Sequence, residues 1–153
     1  MMTPEQKLRE LAPDLPAPPQ PVGAYVPAVR AGSLVFTAGQ LPMAAGKLVA
    51  VGKVPAEVSL EDAQAAARQA ALNALAAARA QTGTLDSVKR VVRVNVFVNS
   101  AAGFTDQAMV ANGASELIGE VFGDAGRHTR CAIGASELPL DATVEIDIVV
   151  EVK

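Results

Sequence analysis

The sequence predicts a mixed helix-and-sheet domain in which two substantial helices cover one face of a sheet of five or six strands. Three observations lead there. Half of the 153 residues are apolar, yet they include only four Phe, one Tyr and no Trp, so the core must be built from Ala, Val, Leu and Ile. Such small side chains favour Ala-rich helices packed closely on a Val-rich sheet. The chain also divides into two stretches with helical spacing and three with an apolar residue at every second position. Two helices cover only one face of such a sheet, so the other face needs solvent or another subunit. A chain of this length fits one domain and can bury roughly 70% of its unfolded surface, without a disulfide or a metal to hold it.

Thr3, Pro4 and Gln6 read as a capped helix start, because Thr accepts a backbone N–H and Gln can reach back to complete a capping box. A short helix to about Leu11 follows. Pro13, Pro16, Pro18, Pro19 and Pro21 then exclude helix interior and central strand, leaving an extended polyproline-like arm, read as a flexible or packed lead-in without chemistry. Residues 1–22 are thus expected to form an N-terminal helix and arm, and 23–153 the domain proper. The run AYVPAVRAGSLVFTAGQLP predicts two strands turning at Ala31-Gly32, with Pro27 at an edge or bulge. Gly39 at the end of VFTAG could present bare backbone to a ligand or relieve a tight bend, and its position favours the bend. Gly46 and Gly52 then suggest a loop with one short strand.

Ser59 and Asp62 form a second capping signal, and the Ala-rich stretch to Gln81 is nearly free of helix breakers. Leu60, Ala63, Ala67, Ala70, Ala71, Ala74 and Ala78 make its apolar stripe, Glu61, Arg68 and Arg79 stay wet, and Gly83 is placed to end it. Val88 to Val98 predicts a long strand with valines at the even positions and Lys89, Arg93 and Asn95 on the odd face. Asn99 and Ser100 break that pattern. A second helix is expected from Thr105 or Asp106 to Val121, ending before Gly123. Within it Asn112-Gly113 is a poor helical pair; Asn112 could be solvated, mark a kink or touch a ligand, and the pattern favours the first two. The last strand, Thr143 to Val152, has Val144, Ile146, Ile148 and Val150 on one face and Glu145, Asp147 and Glu151 on the other. Those charges suggest a solvated sheet surface or an oligomer interface with polar clefts.

The stretch Thr129–Pro139, TRCAIGASELP, organises the rest. Alternation puts Cys131, Ile133 and Ala135 on one face, expected to be core, and Arg130, Ala132 and Gly134 on the other. Residues too small to cover the guanidinium leave room for a planar anion, while an ordinary surface ion pair is the alternative. By the same alternation the Cys131 thiol is expected to be buried and inert, and His128 to be a loop or interface residue. A net charge of −3 without a basic cluster argues against nucleic acid as the main partner. No apolar run of about 18 residues suggests a membrane span, and MMTPEQKLRE lacks the apolar region of a signal peptide, so a cytoplasmic location is expected. One Cys and one His cannot form an internal disulfide or a usual zinc site, and no metal is expected.

Tyr25-Val26, TAGQLP at 37–42, the Asn112-containing helix, Arg130, and SELP at 136–139 followed by Val144-Glu145-Ile146 together resemble the YjgF family, also called the Rid or reactive-intermediate deaminase family. The likeness runs from about Tyr25 to Val152. It implies a chorismate-mutase-like α+β fold with two helices on one face of a mixed sheet, and three subunits forming a barrel with ligand clefts between neighbours. In the deaminases an arginine of a Pro-x-Arg motif clamps a substrate carboxylate and a glutamate of the last strand positions water; Arg130 and Glu145 match them. The resemblance also places Tyr25 and Asn112 at the cleft, with backbone groups around Gly39 and Ala132 against the ligand. Two positions depart from the pattern: His128 stands where the deaminases have Pro, and Ala38 where they have Ser. With the extended N-terminus, these mark a longer, divergent branch.

The activity so implied is cofactor-independent hydrolysis of a 2-imino acid, derived from an enamine such as 2-aminoacrylate, to a 2-keto acid and ammonia. A carboxylate facing Arg130 is expected to stay ionised, which suits it to holding water. A trimer that binds a keto acid or another small carboxylate without turnover is the alternative. An RNA-directed or chaperone-like activity has little support in the acidic balance.

Overall fold

The computed structural model describes residues 1–18 and 23–153; Pro19 and Pro21 of the expected arm lie outside the described residues. Helix α1 spans Pro4–Leu11 and carries the full reciprocal capping box between Thr3 and Gln6. It is docked on the domain: Leu8 is fully buried, and the Glu5 carboxylate accepts from Leu85 N–H at 2.9 Å and meets Arg79 at 3.2 Å. Residues 12–18 then face Met43, Leu72 and Ala76 across a groove of about 800 Å³.

Strands β1 (Ala28–Ala31) and β2 (Leu34–Thr37) form a hairpin turning at Gly32-Ser33, where Gly32 has φ +62°. The following loop holds two short strands, β3 (Met43–Ala44) and β4 (Lys47–Leu48), where sequence suggested one. Ala45 and Gly46 both take positive φ between them, the conformation a two-residue hairpin turn demands.

Helix α2 is Leu60–Thr82: the Ser59 hydroxyl accepts from Asp62 N–H, and Gly83 at φ +78° ends it. Its buried face is wider than the expected stripe. Ala66, Leu72, Asn73, Leu75, Ala76 and Ala77 join it, because this helix meets both the sheet and the second large helix, α3 (Gln107–Phe122). The helices touch at Gly113. A Cβ there would lie 2.1 Å from the backbone oxygen of Gln64, so Gly113 is present for close approach despite its low helix propensity.

The main sheet runs β1-β2-β7-β5-β6, with β5 Val88–Asn99, β6 Thr129–Ala135 and β7 Val144–Val152. β6 is parallel to β5; the other pairings are antiparallel. The expected even-position valine row of β5 is corrected by register shifts between Val88 and Arg90 and between Val91 and Arg93. These irregularities turn Val91 inward, and the inner row becomes Val88, Val91, Val94, Val96 and Val98. Burying each such valine is worth roughly 1.5–3 kcal/mol, which selects this register over strict alternation. β7 alternates as expected, with Val144, Ile146, Ile148, Val150 and Val152 buried.

This is a mixed α+β architecture with the large helices on one sheet face. No helix is long and apolar enough to cross a membrane among the described residues. The opposite face has no cover. It presents Val29, Phe36 and Ile133, each 44–51% exposed, beside Glu145, Asp147 and Glu151.

Candidate functional site

Cross-strand register settles where each candidate side chain points. Arg130 aligns with Val94 and Val94 with Ile148; Ala132 aligns with Val96 and Val96 with Ile146. Val94, Val96, Ile146 and Ile148 are all buried beneath the helices, so Arg130 and Ala132 lie on the helix-covered side, at the sheet's edge strand. Cys131 aligns with Asn95 and Asp147, and Ile133 with Phe97 and Glu145, which places all of these on the open face. The expected core face of β6 is therefore reversed: Cys131 is exposed and Ile133 is half exposed. Alternation along the strand holds, but an edge strand meets the polar flank of α3 on its inner side, and the apolar side chains go outward.

On the inner side the Arg130 guanidinium is held by three oxygens of α3. Nη1 donates to Asn112 Oδ1 at 2.9 Å and to Ser115 Oγ at 3.1 Å, and Nη2 donates to the Ala108 carbonyl at 3.3 Å. Residues 108, 112 and 115 follow one helical stripe, so one face of α3 carries all three acceptors. Asn112 is accordingly neither a free surface residue nor a kink. No carboxylate lies in salt-bridge range of Arg130 among the described residues. Nε–H and one Nη2 hydrogen remain without a partner there. A partly buried cation fixed by neutral acceptors, with donors to spare, is arranged to receive an anion.

Sequence reasoning missed Ser115. The signal was its position three residues after Asn112, on a polar stripe interrupting the apolar positions Val110, Ala111, Ala114, Leu117 and Ile118. Its hydroxyl also lies 2.9 Å from His128 Nε2, while His128 Nδ1 is 2.6 Å from the Gly126 carbonyl.

The second group of candidates sits on the other face. A Cβ on Gly39 would lie 2.8 Å from Glu145 Cδ, so the bare α-carbon leaves the carboxylate its place; the backbone there has no positive φ, and clearance is the glycine's role. Ala38 N–H donates to the Pro27 carbonyl at 2.8 Å, which brings the strand lead-in carrying the half-exposed Tyr25 to the same end of the sheet. Partial burial, and then the negative charge of Asp147, hold the Glu145 carboxyl above its ordinary pKa. A facing guanidinium would act in the opposite direction. Within one protomer Glu145 does not face Arg130, since the sheet lies between them. Along the same open face Arg93 Nε donates to Asn95 Oδ1 at 2.9 Å, and Asn95 Nδ2 donates to Asp147 Oδ1 at 2.8 Å. The Cys131 thiol ends this row, 3.2 Å from Arg93 Nη2.

The site thus comes in two halves: Arg130, Asn112 and Ala132 on one side, Glu145, Gly39 and Tyr25 on the other. The chain is 46% identical to "Protein TCP17" of Trypanosoma cruzi, over 94% of this chain and 91% of that protein. It is 29% identical to a 2-iminobutanoate/2-iminopropanoate deaminase of Dermatophagoides farinae, over 90% and 93% of the two chains. Among solved structures, the protein Atu1372 of Agrobacterium tumefaciens, whose function is given as unknown, superposes with a TM-score of 0.86 at 43% identity, covering 98% of this chain and 92% of that one. A family model described as "YjgF/chorismate_mutase-like, putative endoribonuclease" matches residues 5–152. With that match running nearly end to end over a sheet and helix pair of the expected form, the chain belongs to the YjgF family.

Proposed function

We propose that the protein hydrolyses 2-imino acids to 2-keto acids and ammonia, in a site completed between subunits of a homotrimer. The observation that carries this reading is the Arg130 guanidinium, fixed by Asn112, Ser115 and the Ala108 carbonyl with no carboxylate of its own. The uncovered sheet face, with Val29, Phe36 and Ile133 exposed around charged groups, supports an assembly that buries it. In that assembly the Glu145 half of one subunit faces the Arg130 half of its neighbour.

Arg130 binds the substrate carboxylate through its free N–H groups, and Asn112 keeps the fork in plane. Glu145 holds a water against the imine carbon. As the water oxygen bonds to that carbon, its proton passes through Glu145 to the imine nitrogen. The C–N bond of the resulting carbinolamine then breaks, the hydroxyl proton is lost as C=O forms, and ammonia leaves. A carboxyl whose pKa lies above the ordinary range is better suited to this exchange than a fully acidic one. Every proton is supplied by water or by Glu145, so the chemistry needs no cofactor.

The test follows disappearance of freshly generated 2-iminopropanoate with and without protein. Arg130→Ala and Arg130→Lys should abolish the acceleration while leaving the sedimentation behaviour unchanged, because Lys lacks the planar fork. Glu145→Gln should slow turnover and keep ligand binding. Full activity in either Arg130 variant refutes the clamp. One observation favours a second reading, a non-catalytic carboxylate-binding trimer: the Arg130 half is complete within one protomer, whereas Glu145 joins it only through assembly. Binding of 2-ketobutyrate without imine turnover by the wild type would establish that reading.

A further inference from the structure

We infer that Ser115 and His128 are positioning residues that aim Arg130 through a one-way chain of hydrogen bonds. The direction follows from the acceptors. The Gly126 carbonyl can only accept, so His128 Nδ1, 2.6 Å away, carries the proton. In the neutral ring Nε2 is then bare and accepts the Ser115 hydroxyl hydrogen at 2.9 Å. With its hydrogen committed to His128, Ser115 Oγ turns lone pairs toward Arg130 Nη1, 3.1 Å away. Reversing any link leaves two donors or two acceptors facing each other.

Asn112 Oδ1 and the Ala108 carbonyl are acceptors by chemistry alone. Ser115 is the one contact of the guanidinium that could also turn its hydrogen toward the cation, and His128 removes that option. The ring stands at the rim of an open depression of about 410 Å³ that it shares with Gly119, Gly123, Gly126 and Arg127. It lies outside the apolar core, and replacing it should leave the fold intact. His128 therefore takes no part in the bond-making steps. It fixes the rotor of the hydroxyl that fixes the clamp. This role rests on the reading of Arg130 as a carboxylate clamp, and its test separates the two.

His128 is the chain's single histidine, so its ring nitrogens give one assignable set of NMR signals in the full-length protein. The expected result is the neutral tautomer with Nδ1 protonated and Nε2 bare, and an Nε2 signal that moves when 2-ketobutyrate is added. Ser115→Ala and His128→Phe should weaken 2-ketobutyrate binding by roughly 3- to 10-fold, the loss of one hydrogen bond to a charged group. His128→Gln places an amide oxygen where Nε2 stood and should bind within about 2-fold of wild type. Thermal unfolding controls for folding, and in Ser115→Ala the ligand-induced Nε2 shift should vanish. An Nε2-protonated tautomer, wild-type affinity in Ser115→Ala, or a Gln variant as weak as the Phe variant overturns the inference. If the wild type binds no 2-ketobutyrate, the carboxylate-clamp reading fails and the positioning role falls with it; if it binds but does not turn imines over, the positioning role is still decided by the variants.

Discussion

The contact at Gly113 makes the same substitution act with opposite sign at two positions of one helix. In Gly113→Ala the new Cβ would sit 2.1 Å from Gln64 O and 2.9 Å from Gln64 C. Both are backbone atoms of α2, so no side-chain rotation relieves them, and the helices must part by roughly 1 Å or more to reach normal contact. Overpacking of this kind costs about 1–3 kcal/mol, and a backbone-on-backbone clash belongs at the upper end. Alanine's helix propensity returns about 1 kcal/mol. The net loss is about 2 kcal/mol, a fall in Tm of roughly 4–8 °C for a chain of this size. At Gly119, in the same helix, nothing lies within 4 Å of an added Cβ. There only the propensity term acts, and Gly119→Ala should raise Tm by roughly 1–4 °C. Circular dichroism melts of the two variants beside wild type decide the matter. A Gly113→Ala protein as stable as wild type, or a Gly119→Ala protein destabilised to the same degree, would refute the packing argument.

Two further outcomes follow from the described geometry. Because the folded state holds the Glu145 carboxyl above its ordinary pKa through burial and Asp147, ionising it disfavours folding. Glu145→Gln should therefore match wild type at pH values below the ordinary carboxylate range and become the more stable protein as pH rises through and above the Glu145 pKa, read by urea unfolding of dilute, unassembled protein; a pH-independent difference would contradict this. Glu5→Ala leaves the buried Leu85 N–H without its acceptor and Arg79 without its partner, at a cost of about 2–3 kcal/mol. A loss below about 0.5 kcal/mol in the same assay would mean that α1 is not held by this carboxylate.

The local order of the chain was legible without coordinates. Capping at Thr3 and Ser59, the stop at Gly83 and the alternation of β7 are nearest-neighbour effects, decided by backbone donors and side chains three or four residues apart. They appear in the structure as expected. The register shifts in β5 and the second short strand before Lys47 depend on what the chain meets across a pairing, and local pattern does not carry that information.

The identity of the core face of β6 needed the tertiary structure for the same reason. Cys131 and Ile133 were the apolar choice for the interior, but β6 lies at the sheet edge beneath the Asn112–Ser115 flank of α3, and the interior there is polar. Sequence alone determined that Arg130 and Cys131 point to opposite faces, since that follows from the two-residue period of a strand. Which face is which, that Arg130 rests on three neutral acceptors, that Ser115 and His128 stand behind it, and that Glu145 lies across the sheet were decided only when distant segments packed. Those contacts join residues 15 to 52 positions apart, a separation over which helix and strand periodicity predict a residue's direction but not its neighbour.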